Sequence, residues 1–344
     1  MSTTFGRRDR LMLAVNASAV TVAVAFNAIV AIMTAAYLAP AANGTWQNPG
    51  PWVDWMTYAA AFDRLVHGAG IYAPAQLGGA YMLTHVVLVG YAYPPASVPF
   101  LAPFADYPWG FVAFQVVNLG LFFTALWALV TRAVPRYRAL TMALVLLLLP
   151  FFWPFEDGVI SANVDLAIAG MIGWVAVGVS PAWLGVFGAA GALTKVFPSV
   201  MAAASPDRKL RSIVIGGALT LVACLVTVPI VGLHSWPDFV HALAGNVPDC
   251  YSLNWSIACT LGPRIGTTPA TLVGLAVAAL AALGLLLVHD RFAMALLASV
   301  AVMAPVTNLH PHYWTVVPVL GIATLARLRE ERQRHRWARA PVLR

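Results

Sequence analysis

Charged residues are scarce in this chain. Asp, Glu, Lys and Arg make up 10% of the 344 residues, whereas 60% are hydrophobic. Several apolar runs reach the roughly 20 residues needed to cross a ~30 Å hydrocarbon layer. The runs are continuous and rich in Ala, Leu and Val, so a barrel or a buried soluble core fits poorly. The composition therefore predicts an all-α polytopic integral membrane protein.

Acidic residues are fewer than basic ones, and the net charge is +7. The arginines lie at the ends of apolar runs and in the C-terminal stretch "RLREERQRHRWARAPVLR". This is the pattern of cytoplasmic membrane anchors and not of nucleic-acid binding. The N-terminal "RRDR" precedes an apolar run over 11–39, which is too long for the core of a cleaved signal. Both termini are therefore predicted to be cytoplasmic, in a multi-pass protein of the cell membrane.

Cysteine is nearly absent, with three residues in all. Cys224 lies in an apolar run, and Cys250 and Cys259 share one polar loop. A disulfide between those two is possible if the loop faces an oxidising compartment. The nine-residue spacing alone fixes no geometry, so a bridge and two free thiols both stay open.

The apolar runs predict about eight to ten spans within a single domain, 1–344. Candidate spans lie near 11–39, 81–104, 108–131, 138–155, 163–179, 182–202, 212–232, 270–288, 292–309 and 312–327. The basic clusters place 40–80, 233–269 and 310–313 outside, with short amphipathic helices in the loops, and the tail 328–344 in the cytoplasm.

Strict alternation of these spans has one difficulty, because it places "TRAVPRYR" (131–138), with its three arginines, outside. Re-entrant segments would resolve this, and two regions are suspected. One is 94–107, with four prolines, and the other is 182–204, where Lys195 and Pro198 break an apolar run. Irregular backbone at membrane depth is tolerated where protein buries it.

The first outer loop contains the stretch "WVDWMTYAAAFDRLVHGAGIYAP" (52–74), which predicts one helix of about three turns. Asp54 and Tyr58 share a face of that helix, at i and i+4. Asp54 has two interpretations, as an N-cap that accepts backbone N–H bonds or as a catalytic carboxylate. The spacing does not choose between them.

Other polar residues stand at span boundaries. Lys195 within a span costs roughly 2.5–3.5 kcal/mol unless it snorkels or meets an anion. His310 and His312 do not share a helix face, so a metal pair is not predicted, and they are either interfacial anchors or acid–base groups. Simple interfacial polarity also accounts for Asn163 and Asp165, and a structural role at the entry to an apolar segment is the default for Tyr93. The long outer loop adds the polar residues Asn254, Ser256 and Arg264 as further candidates.

Taken in order over residues 50–315, these segments resemble glycosyltransferase family 87, polytopic enzymes of the GT-C class that use polyprenyl-phosphate sugars, often mannose. The matching motifs are Asp54, Tyr58, Gly68 and Tyr72, then Tyr93-Pro94-Pro95, Asn163-x-Asp165, Lys195 with Pro198, Asn254-x-Ser256, and Pro305 with His310. Two departures stand out. The chain reads "APVTN" where relatives often have Ser-Pro-x-Ser-Trp, and Trp255 replaces a common glutamine. Which histidine is equivalent, and which sugar is bound, therefore stays open.

The resemblance implies a GT-C-type helical bundle that transfers a hexosyl, often mannosyl, or pentosyl group to a lipid or glycan acceptor. It implies catalytic roles for Asp54 and His310. The substrate-binding set would be Tyr58, Tyr93, Asn163, Asp165, Lys195, Asn254, Ser256, Arg264 and His312. No metal, cofactor or nucleic acid is expected, and the partners are the polyprenyl-phosphate sugar, the acceptor and membrane lipids.

Two other classes are compatible with a polytopic chain. A transporter or flippase would favour paired half-helices and a site at mid-membrane. A non-catalytic assembly partner would tolerate replacement of the outer polar residues. An intramembrane protease is disfavoured because no serine and histidine pair stands at suitable depth.

Overall fold

The computed structural model describes residues 53–82, 90–106, 109–250 and 254–339, and these residues are mainly helical. The predicted first span, 11–39, lies outside the described residues. The helices are α1 Val53–Val66, α2 Pro74–Leu77, α3 Ser97–Leu101, α4 Trp109–Ala133, α5 Arg138–Leu148, α6 Trp153–Ser161, α7 Asp165–Val177, α8 Pro181–Thr194, α9 Lys209–Val231, α10 Ser235–Gly245, α11 Ile257–Ile265, α12 Thr267–Leu287, α13 Arg291–Met303 and α14 Val316–Arg339.

Three of the described helices, α4, α9 and α12, are long and apolar enough to cross a membrane. A fourth candidate consists of Pro135–Phe151 and α6, which meet at a bend of 74°. Helices α7, α8 and α13 are apolar but shorter. The predicted all-α polytopic architecture is confirmed, although fewer helices reach full span length than the eight to ten apolar runs suggested.

The span predicted over 81–104 is wrong. Residues 90–96 are not helical, and α3 contains five residues. Pro94 and Pro95 lack the N–H groups that would continue a helix there. Without this span, α4 runs in the opposite sense, and 131–138 moves to the other end of the bundle.

Contacts at that end bring the basic clusters together. Arg329 Nη1 donates to the carbonyl of Arg132 at 2.8 Å, and Lys209 Nζ donates to the carbonyl of Val288 at 2.6 Å. Arg327 pairs with Asp290 at 3.1 Å. The arginines of 131–138 therefore accompany the other basic segments, and the difficulty with strict alternation disappears.

The apolar run 182–204 forms a hairpin and not a straight helix. Helix α8 ends at Thr194, Val196 has a φ of 63°, and a 3₁₀ helix, Phe197–Ala203, returns beside α8. Gly191 permits the close return, because a Cβ there would lie 2.5 Å from the carbonyl carbon of Pro198. Lys195 consequently stands at the tip of the hairpin.

Helix α7 is the centre of the bundle, and nearly all of its side chains are buried. Small residues let its neighbours approach closely. At Gly170 a Cβ would lie 2.6 Å from the backbone of Leu121 in α4. This packing fixes the first residue of α7, Asp165, at the end of the bundle where the polar residues gather.

Candidate active site

A cavity of about 770 Å³ opens at the end of the bundle opposite the basic clusters. Segments from α1, α6, the hairpin tip, α12 and the 305–313 turn contribute to its wall. Its polar lining includes Asp54, Tyr93, Asp157, Ser161, Asn163, Lys195, His310, His312 and Tyr313. Its apolar lining includes Leu243, Leu272, Leu275, Val302 and Val306.

Asp54 enters the cavity from the first turn of α1. The helix begins at Val53, so Asp54 is a helical residue and does not occupy the N-cap position. The first turn still favours a negative charge because of the helix dipole. Its Oδ2 accepts a hydrogen bond from Asn163 Nδ2 at 2.8 Å. Asp54 thus faces polar groups from a segment more than 100 residues away in the sequence.

Tyr58 follows Asp54 by one turn but does not line the cavity. Its hydroxyl lies 2.8 Å from the hydroxyl of Tyr93, and both rings are buried. Tyr93 reaches the cavity and also accepts, through its carbonyl, a bond of 2.6 Å from the Tyr72 hydroxyl. The tyrosines therefore connect α1 to the irregular segment before α3.

Asn163 and Asp165 lie in the turn between α6 and α7. Ala162 ends α6 with a φ of 52°, and Asn163 Oδ1 then accepts from the backbone N–H of Asp165 at 3.1 Å. Asn163 therefore holds Asp54 with its side-chain NH₂ group and holds the start of α7 with its side-chain carbonyl oxygen. This placement explains the polar Asn-x-Asp at a span boundary.

Lys195 directs its ammonium group toward the site. Nζ donates to Asp165 Oδ2 at 2.8 Å and to the Tyr313 hydroxyl at 2.9 Å. Both partners lie at the cavity end, so the snorkelling interpretation, in which Lys195 reaches the cytoplasmic edge, is wrong. Lys195 is instead paired with an anion, Asp165, which offsets the cost of burying its charge.

His312 is held between two carboxylates. Its Nδ1 lies 2.8 Å from Asp157 Oδ2, and the same oxygen accepts from the His312 backbone N–H at 3.1 Å. Its Nε2 lies 3.2 Å from Asp165 Oδ2, within ion-pair distance but without the alignment of a hydrogen bond. Asp157 and Tyr313 were not predicted as site residues. The acidic pair at 156–157 beside a span end was the available signal for Asp157.

The two histidines of the 310–312 turn have pKa values shifted in opposite directions. Their rings are stacked with centroids 5.5 Å apart. Burial, together with the charge of His312, lowers the pKa of His310 to about 4. Burial opposes protonation of His312 as well, but the hydrogen bond to Asp157 and the negative charge of Asp165 outweigh it and raise its pKa. At neutral pH His310 is therefore neutral, whereas the surroundings of His312 favour its cationic form.

Asn254, Ser256 and Arg264 are not part of the cavity lining. Asn254 is buried, and its Nδ2 donates to the carbonyls of Asp249 and Thr307 at 2.8 and 3.1 Å. Ser256 caps α11 by accepting from the Cys259 N–H at 3.2 Å. Arg264 is exposed on the same helix. This loop contributes to the wall through Asn246, Val247 and Pro248 instead.

The outer segments predicted to share one face, 40–80, 233–269 and 310–313, are connected through residues at or one position beyond their predicted bounds. Tyr81 donates its N–H to the carbonyl of Gly245 at 2.8 Å, and Val247 donates to the carbonyl of Tyr81 at 2.9 Å. Cys250 and Cys259 form a disulfide. Leu309 donates its N–H to Asn254 Oδ1 at 3.1 Å, which connects this loop to the histidine turn.

Among the described residues no group of three or more His, Cys, Asp and Glu side chains is arranged to hold a metal ion. The family model for glycosyltransferase family 87 matches residues 91–311, which is well over half of the chain. No curated protein and no solved structure matches the chain. Asp54 lies before the matched segment, whereas Asp157, Asp165, Lys195 and His310 lie within it. The chain therefore belongs to glycosyltransferase family 87 and is a membrane glycosyltransferase.

Proposed function

We propose that this glycosyltransferase takes a hexosyl, often mannosyl, or pentosyl group from a polyprenyl-phosphate sugar and transfers it to a hydroxyl of a lipid or glycan acceptor. The observation that carries the proposal is the division of the cavity. One end of the cavity, called the polar pole below, holds Asp54, Lys195 and His312, and the rest of the wall is largely apolar. A donor with a charged head and a hydrocarbon tail matches both parts.

The apolar wall is open toward the outside of the bundle. Leu272 of α12 is 59% exposed and Leu243 of α10 is 49% exposed, although both line the cavity. Exposed leucines on a span helix face lipid. A polyprenyl chain can therefore pass from the bilayer along α12 while its phosphate reaches the polar pole. A sugar nucleotide has no hydrocarbon part to use this wall.

The transfer step is a displacement at the anomeric carbon. The acceptor hydroxyl gives its proton to the Asp54 carboxylate as its oxygen bonds to that carbon. The bond from the anomeric carbon to the phosphate oxygen breaks, and polyprenyl phosphate leaves with the electron pair. Lys195 and His312, whose cationic form Asp157 and Asp165 favour, stabilise the charge that develops on the leaving phosphate. His310 stays neutral at the cavity wall.

The extracytoplasmic face is the proposed side of the reaction. The basic clusters lie at the opposite end of the bundle, and Lys and Arg favour the cytoplasmic side. The disulfide beside the cavity belongs in an oxidising compartment. Together they support a multi-pass protein of the cell membrane with its C-terminal helix in the cytoplasm.

Purified protein incubated with membrane lipid acceptors and labelled donors tests the proposal. We expect polyprenyl-phosphate mannose or a polyprenyl-phosphate pentose to yield a glycosylated product with one added sugar by mass spectrometry, together with free polyprenyl phosphate. A sugar nucleotide should yield none. Movement of the donor across the membrane of liposomes that contain the protein, without formation of any glycosylated product, would identify a flippase instead. Product formed from the sugar nucleotide alone would reject the lipid donor.

A further inference from the structure

One carboxylate oxygen contacts two basic side chains at the polar pole. Asp165 Oδ2 lies 2.8 Å from Lys195 Nζ and 3.2 Å from His312 Nε2. Asp165 itself is 3% exposed and is not part of the cavity lining, whereas both cations are. The carboxylate therefore lies behind the two cationic groups, on the side away from the space that a substrate would occupy.

Three separate segments meet at this oxygen. Asp165 is the first residue of α7, Lys195 stands at the hairpin tip, and His312 belongs to the 3₁₀ turn Pro311–Thr315. The backbone of Asp165 is fixed by Asn163, and its other oxygen, Oδ1, is buried without a hydrogen-bond partner in the described structure. Leaving a buried oxygen unsatisfied is costly, so packing alone gives no reason for a carboxylate here.

We propose that Asp165 is a positioning residue, which touches no substrate but holds Lys195 and His312 side by side so that both grip one phosphate of the donor. This inference rests on the proposed function for the identity of that phosphate. Since both nitrogens contact one oxygen, they lie within about 6 Å of each other. A phosphate between them can reach each at the ~2.8 Å of a charge-assisted hydrogen bond.

Charge and position give opposite expectations for this residue. A buried carboxylate close to a bound phosphate repels it, so removing the negative charge should tighten phosphate binding. If the carboxylate holds the two cations in place, removing it should weaken binding instead. The sign of the change therefore separates a positioning role from that of an ordinary acidic neighbour.

Decaprenyl monophosphate in detergent micelles is the probe for the first experiment. We expect Asp165→Asn to weaken its binding by about tenfold or more, the scale of one hydrogen bond to a charged group. Asp165→Glu keeps the charge but moves the carboxylate by one methylene, so it should also bind less tightly. Asp63→Asn, at an exposed position of α1, is the control that should leave affinity unchanged. Unchanged or tighter binding by Asp165→Asn would overturn the inference.

A second readout needs no donor. In protein labelled with ¹⁵N-histidine, the ring resonances of His312, assigned by comparison with His312→Gln, report its protonation. Asp157, Asp165, Asp54, His310, Lys195 and Tyr313 surround this ring. Asp165→Asn should lower the pH midpoint of the ring titration while the protein stays folded. An unchanged midpoint would reject the contact itself. If Asp165→Asn lowers the midpoint but the wild-type protein binds no lipid phosphate, the proposed donor is rejected, while the contact between Asp165 and His312 is supported.

Discussion

Three carboxylates line or underlie the polar pole, and they differ in their partners. Asp157 pairs with His312, and Asp165 pairs with Lys195. Asp54 forms no ion pair among the described residues and is held by the amide of Asn163. Asp165 is not part of the cavity lining, and Asp157 is occupied by His312, whereas Asp54 lines the cavity. Of the three, Asp54 is therefore best placed to accept a proton from an acceptor hydroxyl.

Lys195→Met tests the role of the ammonium group. The substitution removes one partner of a buried pair, and we expect the free energy of unfolding to fall by up to about 3–5 kcal/mol because Asp165 then keeps only His312 as a basic partner. Donor affinity of the folded fraction should fall by about tenfold or more. Equilibrium binding of the polyprenyl-phosphate sugar measures this. Lys209→Met, which removes a lysine at the opposite end of the bundle, should keep donor affinity, and equal affinity in the Lys195 variant would contradict the assignment.

The raised pKa of His312 has a consequence for stability. Because its pKa is raised in the folded protein, its contribution is present below the unfolded pKa of about 6.5 and is lost as pH rises through the folded value. His310 affects the free energy of unfolding in a different pH range. Its pKa is lowered to about 4, so its contribution is present above about 6.5 and is lost as pH falls toward 4. Of these two histidines, only His312 therefore makes the stability depend on pH above pH 6.5.

We expect the stability difference between wild type and His312→Gln to shrink as pH rises from 6.5 to 9. Thermal unfolding of both proteins in the same detergent across that range measures it. His67→Gln, at an exposed position, should show no such trend relative to wild type. Parallel curves for wild type and His312→Gln would mean that His312 is neutral in the folded protein.

At the scale of elements, local breaks decide where the charged residues stand. The break at Lys195 and Pro198 is visible in the sequence, and the hairpin confirms that it interrupts the apolar run. The prolines near residue 95 are equally visible, yet the run over 81–104 still suggested a span. Hydropathy measures the cost of leaving lipid, and it does not register that a segment can be buried by protein instead. Tyr91 and Tyr93 are buried in that way.

Asn254 illustrates how far the role of a single residue can be predicted from the sequence. Its position in a family motif suggested contact with substrate, but its amide group holds the loop at Asp249 to the turn at Thr307 and Leu309. A polar residue that binds substrate and one that holds a loop in place have the same sequence pattern. Only the long-range partners distinguish them, and sequence spacing does not supply those partners.

The disulfide acts on the same loop. In the chain-entropy description, closing a loop of about ten residues stabilises the fold by about 2–3 kcal/mol. We expect Cys250→Ser with Cys259→Ser to lower the thermal midpoint and to raise the donor KM, because Val247 and Pro248 of this loop line the cavity. Cys224→Ser removes the free cysteine and should do neither. A double variant that matches wild type in both measurements would show that the loop is held without the bridge.

At the scale of the whole molecule, charge is divided between the two ends. Except for Arg64, Lys195 and Arg264, the described lysines and arginines lie at the end away from the cavity. Most of the described acidic residues lie at the cavity end. This division is what the positive-inside rule requires if the cavity faces outward. The sequence predicted it for most clusters and missed the 131–138 cluster through one false span.

Cysteine labelling in intact cells tests this orientation. In a Cys224→Ala background, cysteines introduced at His67 and Arg264 should react with a membrane-impermeant maleimide. Cysteines introduced at Arg136 and His289 should react only after the membrane is opened. The reverse pattern would place the site in the cytoplasm and reject the extracytoplasmic reaction.

The central claim is that the polar pole is the site of sugar transfer and that Asp54 is its base. The most direct measurement is the rate of transfer from polyprenyl-phosphate sugar by purified Asp54→Asn protein. Asparagine keeps the size of the side chain and a hydrogen-bonding group near Asn163 but accepts no proton. We predict a loss of about 10² to 10⁴ in kcat, with thermal stability little changed and Asp63→Asn fully active. Near-normal transfer by Asp54→Asn would contradict the account.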